Sequence, residues 1–294
     1  KHEHTRPEKV NDRADHIMHV GAQVGPVLSI FRQRSEIKPI FDAITQTPPT
    51  FDFVGDNRVR HELWVVNDPA EIDKLITAFS RMNELYIADG HHRSEAAAEA
   101  ARRKKEQNPA HTGDEHYNFF LNVIFPDDEL HILPYNRVVR DLNDLTPTEL
   151  VERAQGKFAV IEKLRPVVPA KSYHFGMYVD SLWYELVARP GTFDAEHPSH
   201  SIDSAVLSAN LLTPILGIGD IRTDRRIDFV GGTRGVQELV RLVDSGRYAV
   251  AFSLAPTTVE QLLRVADAGE VMPPKSTWFE PKLRSGLIVN MSDD

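Results

Sequence analysis

The chain has 294 residues, enough for one large core or two ordinary ones, and its 41% hydrophobic and 26% charged content is that of an ordinary globular protein. It contains no cysteine, which excludes disulfides, thiolate metal sites and thiol catalysis. A formal net charge of -9 argues against nonspecific nucleic-acid binding, and no apolar run approaches the roughly eighteen residues of a membrane span. The polar opening Lys1-His2-Glu3-His4-Thr5-Arg6 lacks the apolar stretch of a signal peptide, so a cytoplasmic-type soluble protein is expected, with no membrane and no nucleic-acid partner.

In chain order, the first dozen residues carry no recognisable element start, and helical character runs from Arg13 to Val20. Gly25 to Phe31 reads as a turn followed by a strand, and Pro48-Pro49 breaks the next segment. A strand over Val59 to Val66 ends at Asn67-Asp68-Pro69. Ala70 to Arg81 carries Ile72, Leu75, Ile76 and Phe79 at helical spacing and is read as an amphipathic helix. Leu85 to Ala88 suits a short buried strand, and from Ser94 an alanine- and glutamate-rich helix runs to about Gln107, stopped by Asn108-Pro109. Its last turns carry the basic run Arg102 to Lys105, suited to a solvated helix end. Phe119 to Phe125 and His131 to Leu133 are read as two strands joined by the turn Pro126-Asp127-Asp128-Glu129. The character shifts between Leu142 and Pro147, so two parts are expected, residues 1–145 and 146–294. Both are mixed α/β (α+β), the second packed against the first. The second part holds strands at Tyr173 to Val179 and Tyr248 to Leu254. Its helices are Ile202 to Leu212, Gly235 to Ser245 and Thr258 to Ala268, with an exposed loop over Gly191 to Ser201.

The strand that stops at Asp89-Gly90 and passes into a helix is the leading site candidate. Glycine lets the backbone approach a ligand closely, and the free N–H groups of a helix start attract phosphate or carboxylate. Arg93, His91 and His92 add donors, while Asp89 supplies a carboxylate for a base role or for holding a cation. The alternative is structural: Asp89 caps the helix, and His92 or Arg93 satisfies nearby carboxylates. A third reading gives the adjacent histidines a transition metal, although neighbours on one turn rarely converge on one ion.

Ile87 to Arg93 resembles the signature of a bacterial and archaeal domain-of-unknown-function family, often numbered "ten-fifteen". His2 to Arg6 with Asp12-Arg13 resembles its N-terminal signature, Leu133-Pro134-Tyr135-Asn136-Arg137 a central one, and Met272 to Lys282 its C-terminal one. Members carry a further segment ahead of the His-Glu motif, so a segment of the site could lie outside this sequence. The Asp-Gly-His-His-Arg run is also similar to the phosphate-binding motif of free serine kinases, which share a fold with ParB nucleotide-binding domains and sulfiredoxin. That resemblance implies a ParB/sulfiredoxin-like nucleotide-binding N-terminal part. Gly90, His91, His92 and Arg93 would cradle the phosphates of ADP or ATP, held with Mg²⁺. Asp89 would sit beside the transferred group, with Glu3 in the place of the kinases' catalytic glutamate. Sulfiredoxin chemistry is excluded, because it needs a cysteine.

Further candidates are Arg137, which could reach a phosphate or be paired internally, and Lys275, Ser276, Thr277 and Lys282 in a proline-punctuated polar loop. Arg222 to Gly235 could be a second anion site or simply a strand, turn and helix start. His2, His4, His16 and His19 are expected to face solvent or cap, and Trp183-Tyr184 to pack in a core. The expected activity is a nucleotide-dependent phosphotransferase, a small-molecule kinase acting on a hydroxylated metabolite such as free serine. The alternatives are a non-catalytic nucleotide- or phosphometabolite-binding regulatory module and a metal-dependent hydrolase. The oligomeric state is not legible.

Overall fold

The computed structural model describes residues 2–56 and 58–293. Its first helix, α1 (Pro7–Val20), starts ahead of the Arg13 expected from periodicity. Pro7 occupies the first helical position, where a missing N–H is no loss, and Gly21 closes the far end in the left-handed region at φ 68°. After β1 (Ala22–Gln23) comes β2 (Val27–Phe31), buried along its whole length. Next are α2 (Lys38–Thr45) and the hairpin of β3 (Phe51–Val54) and β4 (Arg60–Leu63). The first strand of that hairpin is absent from the sequence reading. The helix α3 (Pro69–Ser80) is capped by Asp68, whose side chain accepts from Ala70 N.

The strand β5 (Tyr86–Asp89) leads through Gly90 into α4 (His91–Gln107), which begins three residues before the expected Ser94. The strands β6 (Asn122–Pro126) and β7 (His131–Leu133) are joined as expected but do not share a sheet. The Pro126 turn sends β7 away to a later strand. The rest of the chain runs β8 (Tyr135–Val139), α5 (Pro147–Ala154), β9 (Phe158–Lys163), β10 (His174–Val179), β11 (Leu182–Ala188), α6 (Asp203–Leu207), β12 (Ile227–Gly231), α7 (Gly235–Asp244), β13 (Val250–Leu254), α8 (Val259–Asp267), β14 (Trp278–Glu280) and β15 (Asn290–Met291). Thr146 and Glu149 form the capping box that starts α5, and Thr258 with Gln261 does the same for α8.

The chain divides into two compact units, one of Lys1–Leu28, Ile87–Val123 and Leu130–Asp294, the other of Ser29–Tyr86 and Ile124–Glu129. The soft boundary expected after residue 145 falls inside the larger unit, because β8 lies within the sheet built by the chain that follows it. The division passes instead through the strands of a three-stranded sheet ordered β5-β2-β6.

In the larger unit an antiparallel sheet runs β12-β8-β13-β10-β11-β9. Alternation along β10 sends Phe175, Met177 and Val179 to one face, where Leu150, Leu207 and Leu211 cover them. Tyr178 and Trp183 point to the other face, against Leu239 and Leu242 of α7. Trp183 is therefore core, as expected. Elsewhere in this unit α1 packs on α4 through Val10, Ala14, Ile17, Ala96 and Ala100. The alanines of α4 let the two helices approach closely, which fixes the N-terminal segment beside the start of α4. In the smaller unit, Phe31, Ile37 and Ala78 form the core.

Candidate functional site

Gly90 is the joint of the site. It holds a left-handed conformation, φ 94° and ψ 28°, which turns β5 into α4 and which a side chain would strain. A Cβ there would lie 2.7 Å from Arg93 Nε, so the bare glycine also leaves room for the guanidinium to lie across the turn. No side-chain hydrogen bond caps this helix start. Asp89 is thus not the cap, and its carboxylate faces Arg93 Nη2 at 3.6 Å and Lys282 Nζ at 3.4 Å.

Four stretches far apart in sequence meet around Asp89. One cavity of about 250 Å³ is lined by Glu3, Asp89, Tyr135, Lys275, Trp278 and Lys282, among others. The N-terminal motif is pinned to α4 residue by residue: Thr5 Oγ1 donates to Glu95 Oε2 at 2.7 Å, and Arg6 N donates to His92 Nε2 at 3.0 Å. The C-terminal motif is tied on by Met272 N donating to His2 O at 2.9 Å and by β14 pairing with β7. Lys275 Nζ lies 5.4 Å from the Tyr135 ring centre and Lys282 Nζ 5.1 Å from that of Trp278.

The electrostatics follow from this convergence. Glu3 is half-exposed at 51%, and its Oε2 lies 3.9 Å from His91 Nδ1. Partial burial raises its pKa, Lys275 pulls it back down, and Asp89 pushes it up. His2 is buried rather than solvent-facing, with its ring edge-on to that of His91 at 4.6 Å. Burial, then His91, drives its pKa down to about 3, so it stays neutral. His92 is held low chiefly by desolvation, then by Arg13, and its Nε2 lone pair is occupied by Arg6 N.

Of the expected phosphate ligands, Gly90, His91, His92 and Arg93 lie on the turn and first helical turn, and Lys275, Ser276 and Thr277 line the cavity. The Ser276 hydroxyl is taken up by Pro273 O and Ser204 Oγ, both at 2.7 Å. Arg137 is 1% exposed and points inward, donating to the carbonyls of Tyr135 and Lys275. Lys282, a candidate from the C-terminal loop, lines the cavity as well, whereas Tyr135 and Trp278 were not singled out from sequence, although both lie within the quoted motifs. His16 and His19 are exposed on α1. Among the described residues no group of three or more His, Asp or Glu side chains is arranged to hold a metal ion. Arginines of the Arg222 to Gly235 stretch are held in ion pairs. Arg222 pairs with Asp220 at 2.7 Å, and Arg226 with Asp141 at 3.2 Å. A Cβ on Gly231 would lie 2.3 Å from the Trp278 ring. Gly231→Ala is therefore expected to push Trp278 off the cavity wall and to destabilise the fold by about 1–2 kcal/mol, measured by equilibrium denaturation.

A second cavity of about 340 Å³ is lined by Arg93, Arg13, His16, Val24, Val27 and Ser285. No helix among the described residues is long and apolar enough to cross a membrane.

The family described as "Protein of unknown function (DUF1015)" matches residues 1–209. No curated protein matches the sequence. Among solved structures, a mutant free serine kinase in complex with AMP is 14% identical, aligned over 95% of this chain and 82% of that one, with a TM-score of 0.44. A conserved hypothetical protein from Pyrococcus furiosus is 14% identical over 97% and 88%, with a TM-score of 0.43. SbnI from Staphylococcus aureus, truncated at its C-terminus, is 9% identical over 97% and 80%, with a TM-score of 0.48.

Proposed function

The chain belongs to that family of unknown function, and from the meeting of its motifs around one cavity we propose that it moves a phosphoryl group between ADP or ATP and a small hydroxylated acceptor, with free serine the first to test. The carrying observation is that Glu3 and Asp89 face the same cavity as Lys275 and Lys282, beside an uncapped helix start. Phosphoryl transfer is mostly positioning and charge neutralisation, with one carboxylate near the acceptor hydroxyl. The acceptor oxygen forms the new O–P bond, the bond to the nucleotide leaving group breaks, and Glu3 takes the hydroxyl proton. A carboxylate whose pKa is raised is the better base for that step.

The cavity beside Glu3, at about 250 Å³, suits an acceptor and the transferred group rather than a whole nucleotide. The neighbouring cavity of about 340 Å³ has apolar walls at Val24 and Val27 for a nucleoside, and Arg93 reaches both places. Mg²⁺ needs only one or two carboxylates when phosphate oxygens complete its shell, and Asp89 would hold it there, where its charge helps neutralise the phosphates.

The test is incubation of the purified chain with ATP or ADP, Mg²⁺ and serine. Nucleotide at a hundredfold excess over Kd is expected to stabilise the fold by about 2.7 kcal/mol, seen as a rise in Tm. Arg93→Ala is expected to abolish that rise. Stabilisation without nucleotide consumption, across a panel of hydroxylated acceptors, would leave a regulatory binding module and sink the enzyme.

A further inference from the structure

Among the described residues Arg137 is a buried cation with no carboxylate partner. It lies in β8 at 1% exposure, its Nε makes no hydrogen bond, and its guanidinium carbon sits 5.4 Å from the centre of the Phe229 ring. Burying a charge in this way is costly, and an apolar side chain of similar volume often serves stability as well or better. Its two acceptors suggest why it is retained. One is the carbonyl of Tyr135 and the other the carbonyl of Lys275, at 3.0 Å. Lys275 is a non-glycine residue at φ 58°, a left-handed conformation that persists only where its surroundings hold it.

The contacts close a circuit. The Tyr135 carbonyl and the Lys275 carbonyl are bridged by one guanidinium, while the Lys275 ammonium lies over the ring of the same Tyr135. The next residue is anchored too, because Thr257 Oγ1 donates to Ser276 O at 2.9 Å. We propose that Arg137 is a positioning residue, which holds the strained turn at Lys275 so that its ammonium stands fixed beside Glu3. The inference deepens the proposed site and rests on Glu3 as the group that takes the proton. Lysine at position 137 would carry the charge but not the planar fork that spans two carbonyls.

The charged and titratable groups facing Glu3 are Lys275, Asp89, Lys9 and His91. Of these, Lys275 accepts a hydrogen bond from Arg137 at its carbonyl. The experiment is a carbon-13 NMR titration of the Glu3 carboxyl in the intact chain, with the signal identified by its loss in Glu3→Gln. Lys275→Met removes a neighbouring cation and is expected to raise the midpoint by roughly half a unit to one unit. Arg137→Met is expected to give most of that rise. The double variant is expected to rise no further than Lys275→Met alone, since Arg137 acts through Lys275. A folded Arg137→Met protein titrating at the wild-type midpoint, or additive shifts in the double variant, would overturn the proposal. Should Arg137→Met fail to fold, Arg137→Lys becomes the deciding protein. A raised midpoint is expected of it, and an unchanged one overturns the proposal. The titration needs no turnover, so a chain that transfers no phosphate yet gives these shifts sinks the phosphotransferase reading alone.

Discussion

Glu3→Gln is expected to lower phosphoryl transfer by roughly 10²–10⁴-fold, the usual worth of a positioned general base. The amide keeps the size of the side chain but has no site to accept the acceptor's proton. Nucleotide-induced stabilisation should persist, because Arg93, Gly90 and the second cavity are untouched. The wild-type pH profile carries a matching signature. Burial raises the Glu3 carboxyl above its ordinary range, so activity should fall as pH drops through that raised value and the carboxylate is protonated. The limb should be missing from the residual activity of Glu3→Gln. A variant with wild-type kcat, or one that keeps the limb, would remove Glu3 from the chemistry.

The strand–turn–helix around Gly90 was legible because every signal is local: an apolar run, a glycine, then an alanine-rich helix. The helix that starts at Thr258, with its capping box, was legible for the same reason. The site itself is not local. Lys282 reaches Asp89 across 193 positions, and nothing in the C-terminal motif alone says which carboxylate it meets. Family signatures brought the right stretches together without saying which side chains face the cavity. Arg137 has the look of a strand-end phosphate ligand, but strand alternation turns it inward under Phe229. His2 sits in charged company, so its burial could be known only from the loop that covers it, which begins at Met272. Ser276 looks like a free hydroxyl until Ser204 is brought beside it. The turn after β6 was read correctly, while the strands' partners are distant ones, β2 for β6 and, for β7, β14, well over a hundred residues further along.

Asp203→Asn is expected to change the pH dependence of stability by about 3 kcal/mol. Asp203 is 6% exposed at the start of α6. Its Oδ1 accepts from Tyr173 N at 2.9 Å, while Oδ2 is buried without a hydrogen-bond partner. Burial pushes its pKa up from 3.8 to about 6, against the opposing pull of the Tyr173 amide. A raised carboxyl pKa means that the folded chain holds a proton which the unfolded chain has already released. The stability from the protonated form is present in full below about pH 4 and is lost as pH rises through about 6. Asparagine keeps the acceptor for Tyr173 and never ionises. The variant should therefore match the wild type near pH 4, gain on it through pH 5 and 6, and lead by its full margin above about pH 7. Ser204, the next residue, holds Ser276 beside the cavity, so alkaline weakening at Asp203 would loosen the loop that carries Lys275. Equilibrium denaturation across that range checks it, and parallel curves for the two proteins would show that Asp203 titrates like an exposed carboxylate.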